Sequence, residues 1–141
     1  MAETASEKKL HLKIMTPERT VIEETVEAVY ASSPDGQFGV LPKHIPMVRP
    51  LSIGVLAYVK EGQRFSASVI GGMFSTDGQA VLVLTDAAEK GDQIDRLRAE
   101  EAKKRAESRL QSSSGGNTVD VDRAKMALAR AMVRLKVASK I

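Results

Sequence analysis

The feature that most constrains this chain is a change of hydrophobic period near residue 87. From Leu10 to Asp86 the apolar residues come in short alternating or aliphatic runs, separated by Gly, Pro, Asp and Ser. After Ala87 the chain turns to strong helix formers, and no proline follows Pro50. A two-residue period belongs to half-buried strands and a 3.6-residue period to amphipathic helices. The expectation is therefore an α+β chain, with a β-sandwich or barrel over residues 1–90 and a helical hairpin over 91–141. A length of 141 residues suits one domain with an appendage better than two full domains.

Within the first part, Leu10, Leu12 and Ile14 alternate with His11, Lys13 and Met15, and Val26, Ala28 and Tyr30 alternate again. Later strands are expected at 53–60, 64–71, 74–76 and 80–87. Ser33-Pro34-Asp35-Gly36 reads as a turn, because proline fixes φ and glycine permits a left-handed backbone, and Glu61-Gly62 and Asp77-Gly78 read as hairpin turns. In the second part Asp92 is a plausible N-cap for a helix over 93–111, with Asp95 completing a near capping box. Ser112-Ser113-Ser114-Gly115-Gly116-Asn117 stops that helix, and a second is expected over 120–139. Two helices joined so closely should lie antiparallel. Ala124, Ala127, Leu128, Ala131, Leu135 and Ala138 form one stripe of the second helix, facing Ala99, Ala102 and Ala106 of the first. Met126, Val133 and Val137 lie on nearly the opposite side and need cover, from the β domain or from another surface.

Charge divides as the periodicity does. Residues 1–89 carry 8 Lys/Arg against 11 Asp/Glu, whereas residues 90–141 carry 13 against 7, so the halves are −3 and +6. A basic hairpin suggests an anionic partner: an acidic protein surface, a nucleotide or a nucleic acid. A solvated helical surface is the plainer reading of the same charges. Every aromatic lies at or before Phe74, so the basic half has no base-stacking platform, and a nucleic-acid-binding hairpin would rest on phosphate contacts alone.

Several chemistries are excluded or unsupported. With no cysteine and only His11 and His44, disulfides, thiolate metal sites and histidine-rich metal sites are not expected. The first nine residues are polar and read as a frayed tail rather than a secretory signal. The longest aliphatic run, Val81-Leu82-Val83-Leu84, falls far short of the roughly 20 residues that span a bilayer. There is no G-x-x-x-x-G-K-[ST] sequence, and Gly71-Gly72 makes no dinucleotide fingerprint. No local signature supports a Ser/His/Asp constellation, so the chain is not read as an enzyme. The loop from Gly36 to Val48 brackets His44 with Pro42 and Pro46, and the favoured role for His44 is a buried structural hydrogen bond.

Gly36-Gln37-Phe38-Gly39-Val40-Leu41-Pro42-Lys43-His44-Ile45-Pro46 closely resembles the epsilon-subunit family of bacterial F-type ATP synthases. The resemblance continues through Leu51-Ser52-Ile53-Gly54-Val55-Leu56, Ile70-Gly71-Gly72-Met73-Phe74 and Val81 to Glu89, with Lys43 standing where glycine is frequent. It covers essentially the whole chain. The resemblance implies a ten-stranded sandwich that binds the gamma subunit and the ring of c subunits, on the cytoplasmic face of the plasma membrane and peripheral to it. It also implies coupling of rotation to ATP synthesis, with C-terminal helices that restrain ATP hydrolysis. In an extended state Arg123, Arg130 and Arg134 would meet acidic loops of the beta subunits, with alpha also in reach.

Ile94-Asp95-Arg96-Leu97-Arg98-Ala99 matches the [IL]-D-x-x-R-A motif that marks a regulatory ATP site in bacterial members of that family. On a helix Asp95 and Arg98 are neighbours, Arg105 lies two turns beyond Arg98, and Arg130 and Arg134 are one turn apart. Arginines from both helices can converge on a triphosphate without a Gly-rich loop, and the small Ala99 would leave room. Family alignment adds Glu89. The expected site is thus Glu89, Ile94, Asp95, Arg98, Ala99, Arg105, Arg130 and Arg134, with ATP as regulatory ligand and no metal assigned. The competing reading is that Asp95 only favours the helix dipole and the arginines only face water.

Overall fold

A computed structural model describes residues 9–112 and 118–138. The expected frayed tail before Lys9, the centre of the Ser/Gly stop and the expected helix end at Ser139 lie outside the described residues. Eight strands come first: β1 (Leu10–Met15), β2 (Thr20–Val26), β3 (Ala28–Ser33), β4 (Gly36–Val40), β5 (Met47–Lys60), β6 (Gln63–Thr76), β7 (Ala80–Leu84) and β8 (Ala88–Lys90). A 3-10 turn at Gly91–Gln93 leads into α1 (Arg96–Ser112) and α2 (Thr118–Ala138).

The alternation seen in β1 becomes the core. Leu10, Leu12 and Ile14 are completely buried, while His11 is exposed and pairs with Glu23 across the surface. β1 lies between β2, antiparallel, and β7, parallel, in a register that sets Leu12 beside Val81 and Ile14 beside Val83. Full burial of each such side chain is worth about 1.5–3 kcal/mol. Phe74, also fully buried, meets Phe38 edge to face at 5.0 Å, and Arg49 lies over the Phe38 ring at 4.5 Å.

The strand count is eight among the described residues, not ten. β5 and β6 are each 14 residues long and pair along almost their whole length. Their ladder is interrupted at Ser52 and Gly71, where Gly71 and Gly72 adopt φ values of +70° and +109°. On one side of that break β6 pairs with β7, and on the other β5 pairs with β3 and β6 with β8. One bent hairpin thus serves both layers of the sandwich. The expectation of separate strands at 53–60, 64–71 and 74–76 had divided it where the backbone only bends.

The turns use the residues the sequence offers. Glu61 and Gly62 both have positive φ, as a two-residue hairpin that follows the strand twist requires. At the β6–β7 turn the Asp77 carboxylate accepts the backbone N–H groups of Gln79 and Ala80 at 2.9 and 2.8 Å.

The helices pack through small residues. Ala99 and Ala106 of α1 and Ala124 and Ala131 of α2 are buried, each pair seven residues apart, so the two backbones can approach closely. With only residues 113–117 between them, the helices form an antiparallel hairpin. The second stripe of α2 divides: Val137 is buried against the sandwich, Val133 is half-buried and Met126 is exposed. The hairpin reaches the sandwich chiefly through α2, which touches β5, β6, β8 and the 3-10 turn. No helix among the described residues is long and apolar enough to cross a membrane.

Candidate functional site

The segment that joins sandwich to hairpin places the expected site residues. β8 ends at Lys90, whose backbone N–H donates to the side-chain oxygen of Gln93 at 3.4 Å across the 3-10 turn. Ile94 follows in an extended conformation, half-buried. Asp95 then starts α1: its carboxylate accepts the N–H of Arg98 at 3.1 Å and its carbonyl accepts that of Ala99 at 3.0 Å. Asp95, not Asp92, is therefore the N-cap, and the helix begins at Arg96 rather than Gln93. Asp92 sits inside the 3-10 turn that follows β8.

The side chains of Arg98 and Arg105 are exposed and that of Arg130 half-buried, and none makes an ion pair among the described residues. Arg134 is different. Its Nε donates to the Glu89 carboxylate at 2.8 Å, with both side chains about one-third exposed. The structure thus brings Glu89 and Arg134 together directly and seats α2 beside the strand that leads into α1. Ala99 is 5% exposed and lies in the seam between the helices, so its small size serves helix approach. Among the described residues no group of three His, Asp or Glu could hold a metal ion.

An open cleft of about 640 Å³ lies beside this junction, between the sandwich and the end of α2. Tyr58 and Phe65 stack at 5.5 Å on its wall, Lys60 meets Glu24 at 2.7 Å, and Val137 contributes from the helix. The hydrogen bond and charge of Glu24 hold the Lys60 ammonium above its ordinary range. Burial, and then the charge of Glu24, push the Tyr58 phenol up. Nothing local in the sequence marks this cleft, because Glu24, Tyr58, Lys90 and Val137 come from four different elements.

Nδ1 of His44 lies 2.7 Å from the Ile45 carbonyl oxygen, so Nδ1 carries the proton that is donated. The expected structural hydrogen bond is present, but His44 is half-buried rather than buried. Leu41, Ile45 and Val48 near it are exposed, as are Met73 and Leu84.

Similarity to known proteins runs from residue 9 to residue 139. Residues 9–91 match the family model described as ATP synthase, Delta/Epsilon chain, beta-sandwich domain, and residues 92–139 match ATP synthase, Delta/Epsilon chain, long alpha-helix domain. The chain is 43% identical over 131 residues to the ATP synthase epsilon chain of Desulforamulus reducens, covering 93% of this chain and 98% of that one. It is 45% identical over 130 residues to the epsilon chain of Symbiobacterium thermophilum, covering 92% of each. Its fold is similar to a chain in the Euglena gracilis mitochondrial ATP synthase structure of OSCP, F1 and c-ring, with a TM-score of 0.78 at 22% identity over 99% of this chain and 86% of that one. Whole-length similarity to ATP synthase chains leaves the nucleic-acid reading without support.

Proposed function

Because this chain belongs to the ATP synthase delta/epsilon-chain family, we propose that it is a non-catalytic rotor subunit of a bacterial F-type ATP synthase whose helical hairpin restrains ATP hydrolysis under the control of ATP. In this reading the sandwich binds gamma and the c-ring, so that proton-driven rotation is coupled to ATP synthesis at the cytoplasmic face of the plasma membrane. The hairpin folds down on the sandwich when ATP is bound and extends toward the beta and alpha subunits when it is not.

The observation that carries the reading is the docking of α2 beside β8 through Arg134 and Glu89. It sets Arg134 next to the strand that leads into the segment carrying Asp95 and Arg98. Three guanidinium groups, those of Arg98, Arg105 and Arg130, are left without an ion-pair partner among the described residues. Such groups suit polyphosphate oxygens, which guanidinium binds in a bidentate way. A ligand that binds only the folded-down hairpin stabilises it by RT ln(1 + [L]/Kd), about 2.7 kcal/mol at one hundred times Kd, enough to reverse a modest bias.

Calorimetric titration of the full chain with ATP tests the site. Arg98→Ala and Arg130→Ala should each weaken binding, while Arg96→Ala, whose side chain pairs with Glu100 at 3.5 Å, should change it little. In the reconstituted enzyme Arg98→Ala should stay inhibited at ATP levels that release the parent. Equal affinity for the parent and both variants would remove the nucleotide from the proposal.

A further inference from the structure

The loop between β4 and β5 holds a lysine where the backbone asks for glycine. Pro42 and Lys43 are the central residues of a turn in which the His44 N–H donates to the Leu41 carbonyl at 3.2 Å, and Lys43 has a φ of +70°. This is a type II turn, whose third position favours glycine because a Cβ is crowded at positive φ. Its surroundings fix that shape. The Lys43 N–H donates to the Gly78 carbonyl at 2.8 Å, and a Cβ at Gly78 would lie 2.5 Å from the His44 carbonyl oxygen. The turn therefore interlocks with the end of the β6–β7 hairpin and cannot relax to suit a side chain. Lys43 is exposed and forms no ion pair among the described residues, so nothing within the fold uses its charge.

The adjoining surface is apolar. The register sets Met73 beside Leu84 and Val48 beside Ser75, so Val48, Met73 and Leu84 share one exposed face of the sheet, while Phe74 and Val83 point from the same strands into the core. Leu41 and Ile45, on either side of the turn, are also exposed. We propose that Lys43 is a specificity-determining contact at the rim of this face, pairing with a carboxylate of gamma while gamma covers Val48, Met73 and Leu84. This rests on the proposed binding of gamma by the sandwich and adds to it a face, a residue and a charge. The charge selects gamma over the c-ring. Cytoplasmic loops of membrane-embedded subunits carry an excess of Lys and Arg, which would repel Lys43. An apolar face with a cation at its rim suits a soluble partner that offers an acidic group.

Surface plasmon resonance of the full chain over immobilised gamma tests the assignment. A rim charge acts mainly on association, so Lys43→Gln should slow association about three- to fivefold in roughly 50 mM salt and leave dissociation nearly unchanged. The difference should vanish in about 0.5 M salt, where exposed charges are screened. Lys43→Arg should associate like the parent, and Lys43→Glu more slowly than Lys43→Gln. Lys43→Gly should slow association like Lys43→Gln while raising the urea midpoint by about 0.3–0.5 M, because the turn is relieved. Met73→Ser combined with Leu84→Ser should instead speed dissociation, about tenfold, through lost apolar burial. Unchanged association of Lys43→Gln and Lys43→Glu would overturn the role of Lys43 and leave gamma binding by the sandwich standing. Unchanged dissociation of the Met73 and Leu84 variant would move gamma off this face and overturn the proposal. Lys43 variants that keep gamma but lose the c-ring would overturn the choice of partner. A parent chain that does not bind gamma would overturn both the contact and the reading on which it rests.

Discussion

A Cβ added at Gly72 would run into the backbone carbonyl of Leu84, and the φ of +109° there is one that side-chain-bearing residues rarely adopt. Both obstacles are backbone, so neither can be relieved by rotating a side chain. Gly72→Ala should destabilise the chain by about 3 kcal/mol, measurable by urea denaturation. Asp77 offers a second test. The N–H groups of Ala80 and Gln79 hold its carboxyl below the ordinary value of 3.8. A depressed carboxylate contributes stability above the unfolded-state pKa and loses it as pH falls through the lower folded-state value. Asp77→Asn should keep the turn but flatten this acid-side dependence, and Asp77→Ala should lose both, as thermal melts between pH 5 and pH 2 would show. The sequence made Asp77-Gly78 legible as a turn, because that signal is local. It showed what Gly71-Gly72 is not, but its role as the bend in the β5–β6 ladder depends on β7, whose carbonyl lies more than ten residues away.

At the scale of elements, the apolar alternation of β1 and the small-residue stripe of the hairpin were readable because each is a periodic property of one segment. The start of α1 was not. Asp92 and Asp95 are equally good caps by type, and what decides between them is the end of β8 at Lys90 and the 3-10 turn that follows. The same cap complicates the site, since the motif gives Asp95 to a ligand and the structure gives its carboxylate to the N–H of Arg98. Two substitutions separate these roles. Asparagine caps a helix as well as aspartate, so Asp95→Asn should leave helix stability nearly unchanged, whereas Asp95→Ala should cost about 1 kcal/mol. If the carboxylate also serves ATP, Asp95→Asn should weaken ATP binding while circular dichroism stays unchanged. Unaltered ATP affinity in Asp95→Asn would make this residue a cap and nothing more.

Across the whole molecule the charge asymmetry between the halves matches a division in packing. The sandwich core is drawn from residues between Leu10 and Ala88, and the fully buried hairpin side chain that meets the sandwich is Val137. The sandwich should therefore fold without the hairpin, provided that the cut spares β8, whose pairing with β6 extends to Lys90. A chain ending at Lys90 loses the burial of Val137 and the pairing of Arg134 with Glu89, about 2–4 kcal/mol in all, and should still melt cooperatively. If the sandwich carries the rotor contacts, this shortened chain should retain gamma in a pull-down. If the hairpin is the inhibitory element, the complex reconstituted with it should hydrolyse ATP faster than the complex with the full chain. These outcomes are independent: faster hydrolysis with gamma retained supports both assignments, and unchanged hydrolysis with gamma retained removes inhibition from the hairpin. Loss of gamma by a fragment that still melts cooperatively would move the rotor contact into the helices.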